Sequence, residues 1–192
     1  PAPSPERQAE AAFEKQDWAR AAAGDEALTK SGSSVPKHWM RLALARHKLG
    51  QLKEAAAAYE KVIALGAPQS TMAHYNLACL LAAAPADRNR AFAELTAAVE
   101  GGTPPHQLKA DPDLLPLAPD PRYAALVDKA ERLAFPCKHA PLHAQFDFWV
   151  GEWDVFMGPN RAGTSRIEKS AEGCLVVEHW TGTTGQSGKS LN

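Results

Sequence analysis

The feature that most constrains this chain is a spaced self-similarity in its first two thirds. Residues 37–68, KHWMRLALARHKLGQLKEAAAAYEKVIALGAP, align with residues 73–104, AHYNLACLLAAAPADRNRAFAELTAAVEGGTP. Leu42 and Ala43 recur as Leu77 and Ala78, 35 residues later, and Ala55, Tyr59 and Val62 recur as Ala91, Leu95 and Ala98, 36 residues later. The extra residue falls in a turn, where APADRNR replaces LGQLKE. A weaker copy spans 9–36, with Ala21 preceding Ala55 by 34 residues. A period of this length means a short unit stacked on copies of itself, because one unit alone cannot bury its apolar face.

Each unit reads as a helix, a turn and a second helix. Trp39, Leu42, Ala43 and Arg46 fall at i, i+3, i+4 and i+7, the spacing of one helical face, and the Arg46 stem can lie along apolar surface. Small residues such as Ala43, Ala55 and Ala78 let helices approach closely, while Tyr59 and Leu95 fill the space between units. Gly50 and Pro85 mark turns inside pairs, and Pro36, Pro68 and Pro104 mark unit ends. Trp39, Leu42, Ala43, Gly50, Ala55 and Tyr59 at these offsets resemble the tetratricopeptide repeat, over about 100 residues. The first unit departs from the pattern, with Asp25 in an aromatic position and Ser33 in place of the closing proline. The units expected are 3–36, 37–68 and 71–104. A further amphipathic helix over 120–134, N-capped by Asp120 and carrying Tyr123, Leu126, Val127 and Ala130, resembles the helix that closes such arrays.

The resemblance implies a concave face lined by the first helix of each pair. Its lining positions are Lys37, Met40, Arg41, Leu44, His47 and Lys48 in the second unit, and Met72, Tyr75, Asn76 and Cys79 in the third. Glu6, Glu10 and Glu14 form a row in the first unit. Met and aromatic residues on such a face suit a protein or peptide partner. The alternative is that the glutamates simply pair with Lys37, Arg41 and Lys48 of the next unit. Of the clamp with which some arrays hold a C-terminal carboxylate, Asn76 is present, but Met40 and Cys79 stand where polar groups are needed.

Past Pro136 the rhythm changes to alternation. EWDVFM (152–157), TSRIEKS (164–170) and GCLVVEHW (173–180) read as strands, GPNRAG (158–163) and TGTTGQSG (181–188) as turns, and KSLN as the beginning of one more strand. Before them, HAQFDFWVG reads as a helical turn that turns Phe146, Trp149 and Val150 inward. Gly151-Glu152-Trp153, with FDFW before it and GCLVVEHW after it, resembles an uncharacterised bacterial family of lipocalin-like barrels over 142–192. That resemblance gives Phe146, Trp149, Gly151, Trp153 and Trp180 structural roles in a barrel. Such barrels take about eight strands, so the expectation is an incomplete meander that leaves its tryptophans and Phe156 partly exposed and an open edge for self-association. The fold class expected is therefore α+β in two domains: a helical-hairpin solenoid over 1–135 and an antiparallel meander over 136–192.

Chemistry is sparse. A formal net charge of −1 gives no reason to expect a nucleic acid or anionic membrane as partner. The longest apolar run, NLACLLAAA, stops at Pro85, well short of the roughly 20 residues a span needs. Cys137, His139 and His143 lie within seven residues, but no fourth ligand accompanies them, so no metal is expected. Gly188-Lys189-Ser190 lacks the glycine that a phosphate loop requires at 183. Glu168 and Glu178 are candidates for a cross-strand carboxylate pair, and His179 for a solvated strand face. Cys79 reads as a buried thiol, and Cys137 with Cys174 as a candidate disulfide, which suits a periplasmic or secreted location. No signal segment is visible, and the chain begins at Pro1 without Met, as a processed or cut N-terminus would. The reading is a non-catalytic scaffold that binds a protein or peptide, without cofactor. Its alternative is a carrier of a small apolar ligand through the barrel, with the repeats localising it.

Overall fold

The computed structural model describes residues 2–66 and 68–192. Its class is α+β: helices over the first two thirds, then an antiparallel four-stranded sheet of order β1-β2-β3-β4 that does not close into a barrel. Contacts divide the chain into Pro1–Ala130 and Glu131–Asn192.

The first unit contains three helical hairpins, α1 (Pro5–Glu14) with α2 (Trp18–Lys30), α3 (Pro36–Lys48) with α4 (Leu52–Ala64), and α5 (Ser70–Ala82) with α6 (Arg88–Glu100). Local signals set their ends. Ser4 and Asp17 accept hydrogen bonds from the backbone N–H of Arg7 and Arg20, capping α1 and α2. Pro36 is the first residue of α3, where its missing N–H has no helical role. Gly50 turns the second hairpin at φ +73°. Gly24 shows why the first hairpin needs a small residue: a Cβ there would lie 2.7 Å from that of Ala9.

The residues that repeat are the ones that pack. Leu42 and Leu77, Ala43 and Ala78, the series Ala21, Ala55 and Ala91, Tyr59 with Leu95, and Val62 with Ala98 are all buried in one continuous apolar cluster. Beyond α6 the chain forms α7 (Pro105–Ala110), a 3-10 segment (Pro112–Leu117) and α8 (Pro121–Ala134). Asp120 accepts from the Arg122 N–H at 3.0 Å at the start of α8. Leu108, Leu114 and Leu117 are fully buried in the same cluster, each contributing about 1.5–3 kcal/mol relative to exposure.

The second unit opens with α9 (Pro136–His139) and two 3-10 turns, Pro141–Ala144 and Asp147–Trp149. The strands are β1 (Gly151–Met157), β2 (Asn160–Ser170), β3 (Leu175–Gly182) and β4 (Ser187–Leu191). The expected turn over 158–163 is shorter, because Asn160 to Gly163 pair with β1 across a register shift after Val155. The residue passed over by that shift is Ala162, on the β2 side. Phe146 and Val150 do not turn inward: both are exposed, because the two 3-10 turns present them to solvent, while Trp149 is half-buried. Trp153 is 44% exposed and Phe156 57%. Gly151 takes φ +140°, a region open to glycine, as the chain enters β1. Trp153 Nε1–H donates to the Trp149 carbonyl at 2.7 Å. Cys137 and Cys174 are joined by a disulfide between α9 and the turn before β3. Glu168 and Glu178 lie on opposite faces, since Glu168 pairs with Val177 and Ile167 with Glu178.

Burial within the sheet is uneven, and truncations should cost accordingly. Ile167→Ala, at a buried β2 position, is expected to lose about 2–5 kcal/mol in urea unfolding, and Phe156→Ala under about 1 kcal/mol. Equal losses would contradict this packing.

Candidate functional site: the concave helical face

The ten residues expected on the concave face divide into two sets. Lys37, Lys48 and Met72 are exposed, and Leu44, His47 and Asn76 are half-buried. Met40, Arg41, Tyr75 and Cys79 are buried and do not line an open groove. Met40 belongs to the apolar cluster, and two different structures cover the other three.

The first is a charge network between α1, α2 and α3. Asp25 is fully buried, and Arg41 grips its carboxylate with two nitrogens, Nε at 3.0 Å and Nη2 at 2.6 Å. Arg41 Nη1 lies 3.6 Å from Glu10, which also pairs with Lys37. The Lys37 hydrogen bond and charge hold the Glu10 carboxyl below the usual range. Glu6 lies 3.3 Å from His38 Nε2, and His38 Nδ1 lies 2.7 Å from Ser33 Oγ. The acidic row of the first hairpin is thus largely spent on the second hairpin: Glu6 and Glu10 are engaged, while Glu14 is exposed. Asp25 occupies the slot that holds Tyr59 in the next unit, 34 residues on. An acid there demands a buried cation, and Arg41 supplies it.

The second cover is the chain itself. The 3-10 segment Pro112–Leu117 packs on α5. Tyr75 Oη–H donates to Asp111 Oδ2 at 2.6 Å and approaches the Gln107 carbonyl at 3.4 Å. The Cys79 thiol points to the same carboxylate at 3.8 Å. Asp111 Oδ1 accepts from the Asp113 N–H at 2.9 Å, shaping the turn that carries Leu114. Tyr123 of α8 donates to the Leu108 carbonyl. Burial first, then the Asp111 carboxylate, pushes the Cys79 thiol up to about 12 and raises the Tyr75 phenol well above its ordinary value. On α3, His47 Nδ1 lies 3.4 Å from Tyr59 Oη, and burial lowers its pKa against the pull of Asp113.

The face of α5 expected to be open is therefore partly covered by a 3-10 segment of the same chain. What stays accessible is a strip of Leu44, His47, Lys48, Met72 and Asn76, with Lys37 at its edge. Burial holds the Cys79 thiol and the Tyr59 and Tyr75 phenols protonated at neutral pH, while His47, its pKa lowered, stands as a neutral imidazole. Sequence reasoning missed Asp111, Asp113, Leu114 and Leu117. The signal was there in ADPDLLPL, where three leucines fall among turn residues that usually lack them.

Elsewhere, the sulfur of Cys137 is taken up by its disulfide, which separates it from His139 and His143 as a ligand. Among the described residues no group of three or more His, Cys, Asp or Glu is arranged to hold a metal ion, and no helix is long and apolar enough to cross a membrane. Set against protein-family models and curated proteins, the chain has no match.

Two tests follow from this geometry. Arg41→Ala leaves Asp25 buried and unpaired and should lose about 3–5 kcal/mol of stability in urea unfolding, with Asp25→Ala/Arg41→Ala losing less than the sum of the single changes. Native Cys79 at pH 8 should resist iodoacetamide, and Asp111→Ala should speed its labelling by releasing the segment above it. Labelling of the native chain at the rate of a free thiol would contradict the closed arrangement.

Proposed function

We propose that this chain is a non-catalytic scaffold: a tetratricopeptide-like array that holds a protein or peptide partner on its concave face, attached to a sheet of lipocalin-like type. One observation carries the reading. The same face already accommodates a leucine-bearing 3-10 segment of this chain, through a tyrosine–carboxylate hydrogen bond and apolar burial. The neighbouring strip remains accessible, and Met72, 56% exposed, joins half-buried Leu44 and Asn76 and the cation Lys48 there. An adaptable thioether beside a cation suits a peptide that carries apolar side chains and a carboxylate.

The small-ligand carrier remains the second reading. It is favoured by the half-exposed Trp153 on an open sheet that otherwise buries Ile167 and Val176. The disulfide between Cys137 and Cys174 supports a periplasmic or secreted setting for either reading.

Site-specific photocrosslinkers separate the concave strip from the rest of the array. With the crosslinker at Met72 or Lys48, the chain is expected to capture the same protein in its native host. At exposed Lys53 on α4 it should capture none of that protein. Equal capture from Lys53, or none from Met72 and Lys48, would overturn the reading.

A further inference from the structure

The two faces of the sheet differ in charge. One carries Glu152, Asp154, Arg166, Glu168, His179 and Lys189, as the register dictates. Its acids and bases largely satisfy one another: Arg161 with Asp154, Arg166 with Glu168, and His179 with Glu168 at 2.9 Å. The other face holds Trp153, Ser165 and Trp180 in one row across β1, β2 and β3, and Ile167, Glu178 and Ser190 in the next across β2, β3 and β4. Ile167 and Ser165 are buried there.

Glu178 is the exception on this face. One carboxylate oxygen accepts from Ser165 Oγ, the other from Ser190 Oγ at 2.9 Å. Both partners are neutral hydroxyls, and no cation among the described residues pairs with it. Lys169, which shares the face by alternation, is engaged by Asp147. Two hydroxyls fill one acceptor site on each oxygen of a half-buried carboxylate but leave its charge uncompensated, which is costly beside apolar surface. The same hydroxyls also fix the carboxylate between strands, as a prepared acceptor. Trp180 stands two residues further along β3 on the same face, and Trp153 lies across Ser165 from it. Indole faces attract cations, most strongly where water is partly excluded.

We infer that the Trp153–Trp180 face of the sheet binds a small organic cation, an ammonium group on an apolar body, with Glu178 as its counter-ion and the two indoles against the apolar part. The site belongs to the sheet alone and does not depend on the concave helical face. Ser165 and Ser190 act as positioning residues that hold the Glu178 carboxylate.

The test uses the full chain with its disulfide intact, at low ionic strength and pH 7, titrated with 3-phenylpropylammonium and, separately, with uncharged 3-phenyl-1-propanol. The readout is the set of indole N–H NMR signals, assigned by single Trp→Phe changes. The cation should bind at least about 10-fold more tightly than the alcohol, the factor given by one ion pair with cation–π support. The signals of Trp153 and Trp180 should move and those of Trp18 and Trp39 stay. Glu178→Gln should bring the cation down to the affinity of the alcohol. If that variant fails to fold, the ratio for the unaltered chain decides by itself. Equal binding of cation and alcohol, no binding of either, or a preference untouched by Glu178→Gln in a folded variant would overturn the inference.

Discussion

Each hairpin of the helical unit buries its apolar stripe against the next, so the third is left with a face that only the residues after it can cover. That requirement organises the unit. Residues 105–134 meet it with Leu108, Leu114, Leu117, Leu126 and Ala130, all in the continuous cluster. The Tyr75–Asp111 hydrogen bond then fixes where the covering segment lies. Because the segment crosses α5 on its way to α8, it closes the end of the stack and covers part of α5 together.

The other end of the array is held differently. The first hairpin lacks the large apolar residue that anchors the second through Tyr59, and has Asp25 instead. A buried acid repays its desolvation only through close, multiple partners, and Arg41 with Glu10 supplies that geometry. A buried ion pair adds less net stability than a well-packed aromatic would, but it penalises any other register of the first hairpin, since a slip would strand a charge. Lys37 and Arg41 are consequently spent on the first hairpin, and the accessible strip lies beyond them.

The helical pattern was legible in the sequence because the repeat copies the core: Leu42, Ala43, Ala55, Tyr59 and Val62 each recur at a position that is buried. The α+β class was legible for the same reason, in the switch of period after Pro136. The concave residues were less so. Their positions came from the analogy of the repeat, but burial at Tyr75 and Cys79 depends on what lies over them, and no spacing within a repeat encodes an irregular segment 30 to 40 residues downstream. In the sheet, the strands were marked by their alternation. The shift after Val155 and the exposure of Phe146 were not, because a bulge and a 3-10 turn leave the same residue types in place while changing their direction. The opposite faces of Glu168 and Glu178 follow from a register that only pairing defines.

The account rests most heavily on residues 111–117 lying on α5 as a fixed part of the helical unit. Amide hydrogen exchange of the native chain measures this directly. It predicts that Leu114 and Leu117 exchange as slowly as Leu77 and Leu95, through the same global opening. Exchange of 111–117 at the rate of an exposed loop, with α5 still protected, would contradict it and return Tyr75 and Cys79 to an open face.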